Sequence, residues 1–242
     1  MRGLVRYNEE ELSKEGAMNM NPAVIFDMDG TLFQTDKILE CSLDDTFDYL
    51  RSINEWDGPT PIDTYREIMG FPLPKVWETL LPNHSEDIRK QTDAYFLTTL
   101  ITNIHNGQGA LYPNVQELFQ YLKDQNYSIY IASNGLIDYL AAIVQYYQLD
   151  EWIDETFSIQ QIETLNKGDL VKKILTTHHI TQAVVVGDRL SDINAAKDNG
   201  LRSIGCHFDF AQADELAQAD FVINDLMEIK ELLEVHLPRQ KA

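Results

Sequence analysis

The chain has 242 residues, 44% of them hydrophobic, enough apolar material for one large domain or for a core carrying an insertion. Its 39 acidic residues against 19 basic ones give a formal charge of −20, a field that repels nucleic-acid phosphates and anionic lipid headgroups, so neither is an expected partner. An anionic small molecule would have to be drawn in locally, by a metal ion or by a few placed cations.

The first 21 residues show no clear period and carry Glu9, Glu10, Glu11 and Glu15 where a signal peptide would be apolar, so they read as an N-terminal extension without an assigned role. No apolar run approaches the ~20 residues needed to cross a bilayer. Two cysteines far apart, Cys41 and Cys206, do not form a secreted disulfide framework. Together these features predict a cytoplasmic protein. Ala23-Val24-Ile25-Phe26 is a short apolar run of the kind that forms a buried strand, and it ends in Asp27-Met28-Asp29-Gly30-Thr31. After Thr31 the period becomes helical, with Ile38, Leu39, Leu43, Phe47 and Leu50 at steps of three and four. Breaks at Asp57-Gly58-Pro59, between Gly70 and Pro74, and at Leu81-Pro82-Asn83 divide this block into several helices that end near Asn106-Gly107-Gln108-Gly109.

From Tyr112 onward helices and strands alternate. A helix with Val115, Leu118, Phe119 and Leu122 on one face precedes a strand at Ser128 to Ala132. Leu136 to Tyr147 is a helix, Thr156 to Ile159 a weaker strand, and Gly168 to Thr177 a helix. Ala183 to Val186 is a strong strand, Ser191 to Lys197 a helix, Arg202 to Gly205 a strand, Phe221 to Ile223 a strand and Leu226 to Val235 a closing helix. Such alternation predicts an α/β fold with a parallel sheet covered by helices on both faces, whose ligands bind beyond the carboxyl ends of the strands.

Three apolar runs finish in polar residues: Phe26 leads to Asp27, Ala132 to Ser133-Asn134, and Val186-Gly187 to Asp188. All three ends are expected at one edge of the sheet. Lys167, opening a helix after Asn166, can bring an ammonium to the same edge. Each residue alone has a plainer reading, Ser133 as a helix cap, Lys167 as a solvated charge, and Asp188 and Asp192 as acids favoured at a helix start. Their order along the chain and their shared placement point instead to one site, where, of the pair Asp27 and Asp29, one acid can attack while the other moves protons.

Asp27-Met28-Asp29-Gly30-Thr31, Ser133-Asn134-Gly135, Lys167 and Gly187-Asp188-Arg189-Leu190-Ser191-Asp192 resemble the four motifs of the haloacid dehalogenase-like hydrolase superfamily. The helical block resembles the cap of its phosphoglycolate phosphatase and β-phosphoglucomutase branch. The resemblance implies a three-layer Rossmann-like core, residues 22–34 and 108–242, with an inserted α-helical cap domain, residues 35–107. An acid at Asp29 resembles the phosphatases and mutases rather than the dehalogenases. Carried over, the pattern makes Asp27 the nucleophile that forms an aspartyl phosphate and Asp29 the acid and then the base. Thr31, Ser133, Asn134 and Lys167 become phosphate ligands. Mg2+ is held by Asp27, the Asp29 main-chain carbonyl and Asp188, with Asp192 binding directly or through water. The implied activity is a magnesium-dependent phosphatase of a small phosphorylated metabolite, phosphoglycolate-like or a sugar phosphate. A β-phosphoglucomutase-type mutase and a non-catalytic phosphate-binding or signalling module are the alternatives, and the oligomeric state is left open, a monomer being compatible.

Four further expectations concern details. Gly168 stands where this branch often has proline, which predicts a looser backbone after Lys167. Arg66 or Lys75, around the segment Gly70 to Lys75, is a candidate contact to a substrate carboxylate or second phosphate. Gly107 and Gly109 read as a hinge. His178, His179 and His207 fit no recognised metal-ligand spacing.

Overall fold

The computed structural model describes residues 21–68, 71, 73–209 and 211–237. Residues 1–20 of the N-terminal extension, and Gly70 and Pro72 of the candidate specificity segment, lie outside the described residues. Six parallel strands form the sheet: β1 (Ala23–Phe26), β2 (Ser128–Ser133), β3 (Glu155–Ser158), β4 (Ala183–Gly187), β5 (Arg202–Cys206) and β6 (Phe221–Ile223). Their spatial order is β3-β2-β1-β4-β5-β6. The chain moves outward from β1 on one side and then crosses back to β4 on the other, so the switch in direction falls beside β1, where open α/β sheets bind their ligands.

Alternate strand residues enter opposite layers. Val24, Phe26, Ile129 and Ile131 pack with Phe119, Leu122 and Ile229 on one face, whereas Ala23, Ile25, Tyr130 and Ala132 pack with Leu170, Val171 and Ile174 on the other. The period of two in the strands therefore produces a three-layer core, and burial on both sides explains why β1, β2 and β4 read as unbroken apolar runs. Helices α5 (Val115–Asp124), α6 (Ile137–Tyr146), α7 (Lys167–Thr177), α8 (Leu190–Asp198), α9 (Ala213–Leu216) and α10 (Ile229–His236) connect or cover the strands.

Between β1 and α5 the chain inserts α1 (Asp36–Ser52), α2 (Ile62–Glu67), α3 (Leu73–Leu80) and α4 (Glu86–His105). Leu43, Phe47 and Leu50 of α1, Trp77 of α3 and Phe96, Leu100 and Ile104 of α4 are buried in the core. Trp77 meets Phe96 edge-on at 5.4 Å and donates from its indole to Asp93 at 2.7 Å, so its one polar atom is satisfied. The two strands of chain that enter and leave the insertion run side by side: Gln34 N–H donates to Ala110 O, Tyr112 N–H to Leu32 O, and Phe33 pairs antiparallel with Leu111. Gly109 is required there, because a Cβ would strike the Phe33 ring. No helix among the described residues is long and apolar enough to cross a membrane.

Candidate active site

Register places the polar strand ends together. Phe26 pairs with Ile131 and with Val186, so the residues that follow these three strands leave the sheet at one edge. Asp27 is the first residue beyond β1, and its N–H donates to Val186 O at 2.8 Å, extending the sheet by one residue before the chain turns. The turn is tight: Leu32 and Phe33 N–H both donate to Met28 O, and Gly30 N–H donates to Phe33 O. Gly30 has φ of +75°, a left-handed conformation, and a Cβ at this position would run into the Asp188 carboxylate.

Asp188 follows β4 directly and Asp192 lies one turn into α8. The Asp192 carboxylate accepts from Arg189 N–H at 3.1 Å, and the missing side chain of Gly187 leaves the space it occupies. Arg189 and the N–H of Leu190 are in turn held by Glu215 on α9, at 3.1 Å from Nε and 2.8 Å from the amide. Lys167 enters from the first turn of α7 and is buried. Its Nζ lies 2.6 Å from Asp27 Oδ1 and also pairs with Asp192. Asn166 caps the helix, its Oδ1 accepting from Gly168 N–H at 2.7 Å, and Asn199 Nδ2 donates to Gly168 O at 2.9 Å. The backbone after Lys167 is thus tied down, not loose. Glycine is selected there because a Cβ would press on Asp198 and Asn166.

Oxygen atoms of Asp27, Asp188 and Asp192, all buried, lie within 4.8 Å of one another. One ammonium faces three carboxylates. Burial pushes the Asp27 carboxyl up to about 7, with Lys167 opposing the rise and Asp192 and Asp29 adding to it. Asp188 is pushed well above the usual carboxylate range by burial and by Asp27 and Asp192. Such excess negative charge on hard oxygen donors fits a divalent cation of the magnesium type.

The remaining expected residues surround this cluster. Thr31 is buried, and its hydroxyl donates to Asp188 Oδ1 at 3.4 Å. Ser133 closes β2, buried, its Oγ accepting from Gly135 N–H at 2.9 Å, while Asn134 is exposed beside it. Asp29 does not join the acidic cluster through its carboxylate. Its Oδ1 instead accepts from Thr35 Oγ1 at 2.6 Å and from Tyr139 Oη at 2.5 Å. Burial raises the Asp29 carboxyl, and these two bonds and Lys167 restrain the rise.

Sequence reasoning missed Tyr139, Thr35, Ser158 and Glu215. Ser158 holds the loop after β2 by donating to Gly135 O at 2.6 Å. Arg66 pairs with Glu40 and Asp63, and Lys75 with Glu78, so acids of the insertion already compensate both proposed substrate cations. His178 bonds Glu155 and His207 bonds Asn224, and neither stands in the three-acid cluster.

A family profile described as haloacid dehalogenase-like hydrolase matches residues 24–206. A 5'-nucleotidase of Pseudomonas aeruginosa is 22% identical over 228 residues, covering 89% of this chain and 96% of that protein. Among solved structures, a predicted phosphoglycolate phosphatase from Haemophilus somnus superimposes with a TM-score of 0.74 at 21% identity, covering 90% of this chain and 99% of that one. CbbY from Rhodobacter sphaeroides, in complex with phosphate, also gives 0.74, at 19% identity over 87% of this chain and 96% of its own. At these identities the two structures share the fold.

Proposed function

The chain belongs to the haloacid dehalogenase-like hydrolases, and from that membership we propose that it is a magnesium-dependent, cytoplasmic phosphatase of a small phosphorylated metabolite, phosphoglycolate-like or a sugar phosphate. One observation carries the reading: a buried lysine and two distal acids surround Asp27 at the carboxyl edge of the sheet, beside the switch point.

In this reading an Asp27 oxygen attacks phosphorus and forms an aspartyl phosphate, while Asp29 protonates the departing oxygen and later takes a proton from the water that hydrolyses the intermediate. Lys167, the Ser133 hydroxyl, the Asn134 amide and Thr31 hold the phosphoryl oxygens as charge shifts among them. Magnesium, when bound by Asp27, Asp188, Asp192 and the Asp29 carbonyl, supplies the positive charge that lets a carboxylate and a phosphate approach in so acidic a protein. Residues 35–107 act as a cap over a core of residues 22–34 and 108–242, and exclude water during the first step. Because Arg66 and Lys75 are paired within that cap, neither is assigned to the substrate.

The test is phosphate release from a panel that includes phosphoglycolate, sugar phosphates, nucleoside 5'-monophosphates and pyrophosphate. The expected result is magnesium-dependent turnover of at least one ester, abolished in Asp27→Asn. Release that persists in that variant, or none from the intact protein, overturns the reading.

A further inference from the structure

Tyr139 is buried on α6, 110 residues along the chain from Asp29, yet its phenol donates to Asp29 Oδ1 at 2.5 Å. Thr35 donates to the same oxygen at 2.6 Å from the segment that enters α1. Two O–H donors on one carboxylate oxygen fill its lone pairs and leave it no room for a proton. Among the described residues no hydrogen bond reaches Oδ2. The placement of the phenol depends on Gly135, where a Cβ would sit 3.1 Å from Tyr139 Cδ1, and the Gly135 backbone is itself held by Ser133 and Ser158. The loop that ends β2 therefore fixes the phenol, and the phenol fixes the carboxylate.

We propose that Tyr139 is a positioning residue for Asp29, occupying Oδ1 together with Thr35 so that Oδ2 is the oxygen that exchanges protons with the reacting groups. The inference rests on the phosphatase reading. In the first step an Asp27 oxygen bonds to phosphorus, the bond from phosphorus to the leaving oxygen breaks, and that oxygen takes the proton from Asp29 Oδ2. Asp29 becomes a carboxylate whose new charge is met at once by the two donors on Oδ1, with no side chain having to move. In the second step water attacks phosphorus, its proton returns to Oδ2, and the Asp27 carboxylate leaves with the bonding electrons. Tyr139 donates throughout and gives up no proton. Burial and the adjacent Asp29 hold its hydroxyl well above the usual phenol range, as a permanent donor requires.

The experiment compares p-nitrophenyl phosphate with phenyl phosphate, two esters of similar shape whose leaving groups differ in their need for a proton. In Tyr139→Phe, kcat/KM for phenyl phosphate should fall about tenfold to a hundredfold further than for p-nitrophenyl phosphate, the loss expected for one hydrogen bond to a charged group. Thr35→Val, which removes the other donor to the same oxygen, should show the same selectivity and decides the matter if Tyr139→Phe does not fold by circular dichroism. Equal losses on the two esters, or no loss on either, overturn the inference while leaving the phosphatase reading intact. Absence of magnesium-dependent turnover by the intact protein overturns the phosphatase reading and this inference with it.

Discussion

Lys167 Nζ lies 2.6 Å from Asp27 Oδ1 while also contacting Asp192, so one buried ammonium is shared by two carboxylates, one just beyond β1 and the other on α8. The lysine does not neutralise the cluster. Burial and the neighbouring acids still outweigh it and bring Asp27 up to about 7. Replacing the lysine leaves the acids facing one another without a cation, a change that costs on the order of 3–5 kcal/mol for a broken buried pair. Protonation of Asp27 and Asp188 relieves that cost in acid. Lys167→Met in the presence of EDTA should therefore lose roughly 3 kcal/mol at about pH 8 and distinctly less at about pH 5. Urea unfolding at the two pH values measures the difference, and a loss equal at both contradicts the shared-charge account.

The pH dependence of metal binding follows from the same shifts. An acid whose folded pKa is raised favours the folded state while protonated, and that contribution is lost as pH rises from the unfolded value toward the folded one. For Asp27 the window runs from the model-compound value of 3.8 to about 7, and Asp188 shifts in the same direction. A cation must displace these protons. The rise in melting temperature caused by magnesium should accordingly be small at about pH 5 and grow until about pH 8. Melting curves with and without magnesium across this range cancel the titration of distant groups, and a magnesium effect that shrinks with pH would exclude the three acids as ligands.

The gathering of the candidate site was legible in the sequence because each of Asp27, Ser133 and Asp188 ends an apolar strand, and parallel strands carry their ends to one edge. The neighbours that orient these groups were not. Tyr139 occupies an ordinary apolar position of α6, and its bond to Asp29 exists only after β1 and β2 have paired. Asn166 is visible as a helix cap, but the pressure on Gly168 from Asp198 comes from a helix thirty residues later, which is why the glycine suggested looseness where the fold needs close contact. Helix α9 has four residues, too few to show a period, although its Glu215 anchors the loop after β4. Local pattern thus found the strand ends, and long-range contacts supplied their supports.

Gly30→Ala should damage the site through the backbone. Its φ of +75° costs an alanine about 1 kcal/mol, and the new methyl group is aimed at the Asp188 carboxylate, which must shift to make room. A stability loss of about 1–3 kcal/mol is expected, with magnesium stabilising the variant less than the parent. Paired melts with and without the ion report both effects. An unchanged magnesium response would mean that the Asp188 position does not matter to the ion.

Glu215→Gln tests whether the proposed metal ligands depend on support from outside the cluster. Glu215 accepts from the Arg189 guanidinium and from Leu190 N–H, and so fixes the start of α8, between Asp188 and Asp192. The pair is partly exposed, with side chains 23% and 20% accessible, so its direct contribution to stability is no more than about 1 kcal/mol. Its effect on geometry is larger. The amide keeps the shape but loses the charge that holds the guanidinium, and outer partners of ligating carboxylates typically change metal affinity about tenfold to a hundredfold. Magnesium affinity, read by titrating the melting temperature, should therefore fall by about tenfold, while kcat at saturating magnesium stays near the parent value. A fall in kcat with unchanged affinity would place the effect of Glu215 on the substrate side of the site instead.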